Sequence, residues 1–114
     1  MQATIEYEPI VMKLLEKSEQ GRLNWERGMG GFFCKIERQY TFASTETDDG
    51  YELTMVDSAG DVIFSITGER AIVYDDPKKE ELFNMLRDIY ELARKKALNV
   101  DEKIATATGL LDKI

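Results

Sequence analysis

The feature that most constrains the fold is a run of alternating apolar and polar residues between positions 32 and 67, interrupted by two turn signals. The signals are residues 47–50 (TDDG) and residues 57–60 (DSAG), in which glycine follows Asp- or Ser-type residues as in a type I turn that ends in the left-handed region. Period-two alternation is typical of strands that bury one face and expose the other. The run therefore predicts an antiparallel sheet whose apolar face needs a cover.

The alternating run divides into four predicted strands. Residues 51–58 and 61–67 supply the last two. Residues 32–44 fit either one long strand or two strands joined by a tight turn around residues 37–39, and we favour two because Arg38 interrupts the alternation. Residues 71–74 are a candidate for a short additional strand. The preceding residues 28–31 (GMGG) are interpreted as a flexible link.

Helical patterns flank the predicted sheet on both sides. The first helix is predicted to begin near Pro9 and to end at Gly21, which leaves residues 1–6 as a lead-in. Its apolar stripe consists of Ile10, Val11, Leu14 and Leu15. It is amphipathic enough to lie on the sheet.

Two further helices are predicted after the sheet. Asp76 and Pro77 are suited to the N-cap and the first position of the longer one. Asn99, followed by Glu102, is a capping-box-like start for the last helix, which Gly109 weakens by roughly 1 kcal/mol relative to alanine. We therefore predict a single α+β domain over residues 1–114, with a four-stranded antiparallel meander in the order α-β-β-β-β-α-α.

The residue types argue against catalysis and against bound metal or cofactor. Histidine is absent, which removes the commonest general base and zinc ligand, and Cys34 lies in a strand pattern that predicts a buried core thiol. The acids lie in turn signals, where carboxylates are solvated and ionised. The loop at residues 48–50 lacks the ligand spacing of an EF-hand. We predict a protein that is not an enzyme and holds no metal or cofactor.

The net charge of −7 arises in the middle of the chain. Residues 41–80 contain ten acids and three bases, whereas residues 1–40 and 81–114 are each balanced. Such an acidic edge repels phosphate, so we expect no direct binding to nucleic acid. It can steer a basic partner, although acids also keep sheet turns soluble and discourage edge pairing. The residues predicted to bind the partner are Glu46, Asp48, Asp49, Asp57, Asp61, Asp75 and Asp76.

Two alternatives to the acidic binding surface follow from the apolar residues. One is a small-ligand pocket between sheet and helices, lined by Trp25, Tyr40, Phe42 and Tyr90. The other is a homodimer through the outer sheet face or through the C-terminal helix, which carries Gly109. No signal peptide and no apolar run of roughly 20 residues, the length that spans a bilayer, is visible, so a cytoplasmic location and no membrane association are expected.

The order of these features resembles a class of small bacterial and phage α+β accessory proteins. The resemblance rests on Leu14-Leu15, the run Gly21-Arg22-Leu23-x-Trp25, the meander with its Asp-x-x-Gly turn, and the two helices that follow. It implies a cytosolic protein that acts by binding another protein. The size and acidity also resemble immunity proteins, phage-encoded inhibitors of host defences and type III secretion chaperones. The chaperones differ because a helix interrupts their strand order.

Overall fold

Five consecutive antiparallel strands form the centre of the fold in the computed structural model, which describes residues 3–114. Neighbouring strands in the sheet are also neighbours in the chain, in the order β1-β2-β3-β4-β5. The α+β class and the uninterrupted meander are confirmed, with five strands where four were predicted. The elements are α1 (Ala3–Glu19), β1 (Glu26–Gly28), β2 (Gly31–Ile36), β3 (Tyr40–Glu46), β4 (Gly50–Asp57), β5 (Val62–Glu69), α2 (Pro77–Leu98) and α3 (Val100–Leu111).

The additional strand is β1, which pairs with β2 across residues 28–31. The prediction of a flexible link there is wrong, because these residues form a tight hairpin turn. Met29 and Gly30 occupy its centre with φ angles of 55° and 80°. Two central residues with positive φ form the turn that matches the twist of a β-hairpin, and Gly30 adopts such an angle without steric cost.

The predicted tight turn around residues 37–39 is confirmed, and it separates β2 from β3. Glu37 and Arg38 both have positive φ, and the N–H of Gln39 donates to the carbonyl of Ile36 at 2.9 Å. The predicted strand at residues 71–74 is wrong. There the Tyr74 hydroxyl donates to the carbonyl of Glu69 at 2.9 Å and accepts from the N–H of Ala71, which closes the segment as a loop.

The predicted helix start agrees with the structure for α2 but not for α1, and the cap predicted for α3 is not formed. The first helix spans Ala3–Glu19, so the predicted lead-in is wrong for residues 3–6, and residues 1–2 lie outside the described part of the chain. The helix passes through Pro9, which removes one hydrogen bond inside it. The start of α2 is confirmed, since the Asp76 carboxylate accepts from the N–H of Lys78 at 2.9 Å and Pro77 follows. The predicted capping box at Asn99 is not formed, because the Asn99 side chain makes no capping hydrogen bond to α3. Asn99 instead closes α2 in the left-handed conformation, with φ of 50°.

The helices α1 and α2 lie on the same face of the sheet. Tyr7 of α1 stacks on Phe64 of β5 at 4.6 Å between ring centroids, and Tyr90 of α2 meets Phe32 of β2 edge-on at 5.4 Å. These helices and that face enclose the core. Its strand residues are Phe32, Cys34, Phe42, Tyr51, Leu53, Met55, Phe64 and Ile66. We call the opposite side the outer sheet face; among the described residues no helix covers it.

Candidate functional site

The seven acids predicted to bind a partner lie at two opposite ends of the sheet. Glu46, Asp48 and Asp49 belong to the turn that joins β3 to β4, whereas Asp57 and Asp61 flank the turn that joins β4 to β5. Because β4 runs from one turn to the other, its eight residues separate them by about 24 Å at a rise of about 3.4 Å per residue. The predicted acidic edge is therefore two surfaces rather than one.

Asp75 and Asp76 join the first of these surfaces. The loop that contains them leaves β5 beside the β3–β4 turn, where the N–H of Arg70 donates to the carbonyl of Asp49 at 2.6 Å. Arg70 and Ala71 line both the depression at Asp48 and the groove at Asp76. We call this surface the β3–β4 end; its acids are Glu46, Asp48, Asp49, Asp75 and Asp76. The β4–β5 end holds Asp57 and Asp61.

Three of the seven acids stabilise local structure. One carboxylate oxygen of Asp57 accepts from the N–H groups of Ala59 and Asp61, both at 2.9 Å, and so holds the β4–β5 turn together. Asp76 caps α2. Lys79 donates to Asp75 at 3.1 Å, and this hydrogen bond, with the lysine charge, lowers the pKa of the Asp75 carboxyl. These three acids therefore have a structural explanation that needs no partner.

The other four acids are the ones available to a partner. Glu46, Asp48, Asp49 and Asp61 are exposed, and within residues 3–114 none of their carboxylates forms an ion pair. Three of the four belong to the β3–β4 end. The unneutralised charge of the domain is therefore most concentrated around the turn at residues 47–50.

The bases near the β3–β4 end are already engaged. Lys78 lies 3.3 Å from Glu81 and 3.8 Å from Glu8, and Lys79 is paired with Asp75. The guanidinium of Arg70 lies over the ring of Phe83, 5.7 Å from its centroid. In the described part of the protein none of these bases forms an ion pair with Asp48 or Asp49, and only the charge of Arg70 lines the same depression.

Three of the four residues predicted to line a ligand pocket pack in or against the core, and the fourth, Tyr40, is exposed. Trp25 and Phe42 are buried in the core, and the indole N–H of Trp25 donates to the hydroxyl of Ser18 at 3.1 Å. Tyr40 lies at the start of β3 and is 39% exposed. Tyr90 packs against Phe32 and Tyr51. Burial, and then the charge of Glu46, raise the pKa of the Tyr90 hydroxyl.

Cys34 has the surroundings of a core thiol rather than a nucleophile. It is fully buried in β2, opposite Phe42 of β3. Burial raises its pKa to about 12, although a backbone hydrogen bond from Phe42 acts in the other direction. Since the thiolate is the reactive form, this thiol is unreactive at neutral pH in the folded protein.

Two further features of the surface bear on binding, and only one of them, the C-terminal helix, was predicted from the sequence as a candidate dimer contact. One is the free edge of β5, which has a neighbouring strand on one side only. The other is α3, all of whose residues from 101 onward are exposed. The signal for α3 was present in its apolar stripe, but the stripe alone did not show that the helix extends away from the core.

Comparisons with protein-family models, with curated proteins and with solved structures find no match for this chain. Within residues 3–114, no group of three or more cysteine and acidic side chains is arranged to hold a metal ion. No helix in that part of the chain combines the length and apolarity needed to cross a membrane.

Proposed function

We propose that this protein is a non-enzymatic binding module that uses its acidic ends to engage a basic surface of another protein. The observation that carries the proposal is the set of unpaired carboxylates at the β3–β4 end, Glu46, Asp48 and Asp49, beside bases that are already engaged. An inhibitor or an immunity-type accessory protein would use such a surface to occupy the functional basic site of its target.

The physical basis of the proposal is long-range attraction. Complementary charges steer encounter and raise association rates at low salt, and salt screens them over about 8 Å at physiological ionic strength. Asp48 and Asp49 lie at the tip of a turn, so a partner can approach them without displacing packed side chains. The partner therefore needs a cluster of lysine or arginine residues that faces the β3–β4 end.

We expect reversal of this charge to slow association with the partner. The variant is Asp48→Lys with Asp49→Lys, and the partner is the protein captured from native lysate by the tagged wild-type chain. Because electrostatic steering raises association rates by roughly tenfold or more, we expect a decrease of about tenfold at low salt and a flatter salt dependence, measured by surface plasmon resonance.

The matched control places the same charge change elsewhere. Glu19→Lys with Asp112→Lys alters one residue at the end of α1 and one that directly follows α3, both exposed and outside the β3–β4 end. We expect this control to retain most of the wild-type association rate. Equal rates for the wild-type chain and the Asp48/Asp49 variant would refute the proposal.

A homodimer through α3 is the second candidate function, and the spacing of the exposed apolar residues favours it. Val100, Ile104, Ala107, Leu111 and Ile114 follow one another at alternating intervals of four and three residues. This is the heptad spacing of a coiled-coil seam, narrower than the stripe of a helix that docks on a globular core. Ile104 and Leu111 are 59% and 68% exposed, so the seam has no partner within the described chain.

We expect disruption of this seam to separate the two copies. Leu111→Glu places a charge on the seam, whereas Ala105→Glu places the same charge on the opposite side of α3. If the dimer forms, Leu111→Glu lowers the mass measured by sedimentation at micromolar concentration to that of a monomer, and Ala105→Glu does not. A wild-type chain that sediments as a monomer at every concentration tested would exclude this candidate.

A further inference from the structure

The strand β5 is the longer of the two edge strands of the sheet. It spans eight residues, Val62–Glu69, and contains no proline, lysine or arginine. The opposite edge, β1, has only three residues, two of which are the charged Glu26 and Arg27. Proteins usually protect an edge strand by shortness, charge or proline, because its free backbone groups can pair with another chain. The edge β1 has two of these protections, whereas β5 has only an irregularity at its start, where its register with β4 shifts between Met55 and Val56.

The hydrogen-bond alternation identifies the backbone groups that β5 presents to a partner. Arg70 donates its N–H to the carbonyl of Asp49, so this pair of residues is a hydrogen-bonded one. The next pair along the ladder, Gly50 and Glu69, is not hydrogen-bonded, because the Gly50 carbonyl accepts from the N–H of Thr47 in the β3–β4 turn. Because the two kinds of pair alternate along an antiparallel ladder, the backbone groups of Ser65, Thr67 and Glu69 point away from β4. The Glu69 carbonyl already accepts from the Tyr74 hydroxyl, so the edge presents the N–H and C=O groups of Ser65 and Thr67 and the N–H of Glu69.

The two acidic ends lie at the two ends of this edge. Asp57 and Asp61 precede β5, and Glu69 ends it beside the β3–β4 end. An approaching strand therefore meets hydrogen-bonding backbone in the middle and negative charge at both ends. The distance between the β3–β4 end and the β4–β5 end is therefore the length of one strand.

We propose that the β5 edge binds an extended segment of the partner as a sixth strand, with apolar residues at alternate positions and basic residues at both flanks. This inference rests on the proposed binding of a basic partner and specifies how that partner is held. In β-strand addition, the backbone supplies affinity and pockets for alternate side chains supply specificity. Basic flanks complement the acids at the two ends.

A groove beside the second half of β5 provides such a side-chain pocket. It encloses about 460 Å³ between the end of β5, the loop that follows it and the first turns of α2. Thr67 and Glu69 form one wall, Leu82 contributes apolar surface, and Asp76 lies at the rim. The charges of its lining are balanced, because Arg70, Lys78 and Lys79 lie there together with Glu69, Asp75 and Asp76. The groove therefore suits an uncharged side chain of the incoming strand.

The same charges disfavour a second copy of this chain as the occupant. Two antiparallel β5 strands centred on Ser65 would place Asp61 of each copy opposite Glu69 of the other. Like charges directly opposite each other on neighbouring strands are destabilising. A segment of a different protein, basic where this chain is acidic, fits the edge better.

Binding of a defined peptide tests the inference. The probe is a fluorescein-labelled peptide of alternating valine and threonine with two lysines at each end, and the measurement is fluorescence anisotropy at low salt with the full chain. Ser65→Pro removes one outward N–H while the ladder to β4 keeps its bonds, and Ser65→Ala is the matched control that retains it. We expect about tenfold weaker binding for Ser65→Pro, the effect of one lost backbone hydrogen bond, and less than about twofold for Ser65→Ala.

A second pair of peptides makes the test independent of how the proline variant folds. Backbone N-methylation at the central threonine should weaken binding to the wild-type chain by about tenfold, and replacement of the flanking lysines by glutamates should abolish it. No saturable binding of the lysine-flanked peptide, or equal binding to Ser65→Pro and Ser65→Ala, would overturn the inference. A different result would refute the proposed function, namely a partner whose association rate is the same for the wild-type chain and for the Asp48/Asp49 variant.

Discussion

Replacing Gly68 with valine is expected to lower the free energy of unfolding by about 3 kcal/mol, the upper part of the usual range for overpacking. A Cβ atom at Gly68 would lie 2.9 Å from the Cα of Phe83 and 3.2 Å from Cδ1 of Leu86. The nearer atom belongs to the backbone of α2, so no change of rotamer relieves the overlap. The helix must move away from β5, and that movement loosens the buried contacts of Leu86 and Ile89.

The control for this variant is Gly109→Val in α3. A Cβ atom there meets nothing within 4 Å, so the substitution creates no overlap. Valine is also a better helix former than glycine, and we expect no loss of stability. Both variants are measured by urea denaturation followed by circular dichroism. If Gly68→Val unfolds at the wild-type urea concentration, the close contact between α2 and β5 is contradicted.

The buried thiol of Cys34 is expected to make stability decrease at alkaline pH. Its pKa is raised from 9.0 to about 12 by burial, so between these values the unfolded thiol loses its proton and the folded one retains it. The stabilisation is therefore fully present below pH 9 and is lost as the pH rises toward 12. One pKa unit corresponds to about 1.4 kcal/mol, which gives a loss of about 4 kcal/mol over the whole interval.

Comparison with Cys34→Ala isolates this contribution from the tyrosines and lysines that ionise in the same range. The alanine variant should be less stable than wild type at pH 8 because it leaves a small cavity. Its deficit should then shrink as the pH rises above 9, since it has no thiol to ionise. Unfolding free energies that decrease in parallel for the two proteins would contradict the burial of an un-ionised thiol.

The sequence was most informative where local chemistry decides the conformation. The turn signals at residues 47–50 and 57–60 and the cap at Asp76 act over a few residues, and the structure has strand ends or a helix start at each. The first strand was missed because Glu26–Gly28 is too short to show alternation. The start of α1 was misplaced because Pro9 is common at first helical positions, and here the helix passes through it.

The candidate site depended on topology that the sequence shows only in part. Composition located the acidic excess in residues 41–80, and a meander places successive turns at opposite ends of its sheet. Which strand would be left with a free edge depended on β1, since its pairing with β2 makes β1 one edge and β5 the other. The apolar stripe of α3 identified a helix, but only its exposure showed that no described part of the chain covers it.

The measurement that tests the central claim most directly is affinity capture from native cell lysate at low and high salt, read by mass spectrometry. The baits are the tagged wild-type chain, the variant with Asp48→Lys and Asp49→Lys, and the control with Glu19→Lys and Asp112→Lys. The account predicts a protein with a basic surface that the wild-type and control baits retain at low salt, that high salt releases, and that the Asp48/Asp49 variant fails to retain. Recovery of the bait alone at both salt concentrations, or of the same partner by all three baits at high salt, would contradict it.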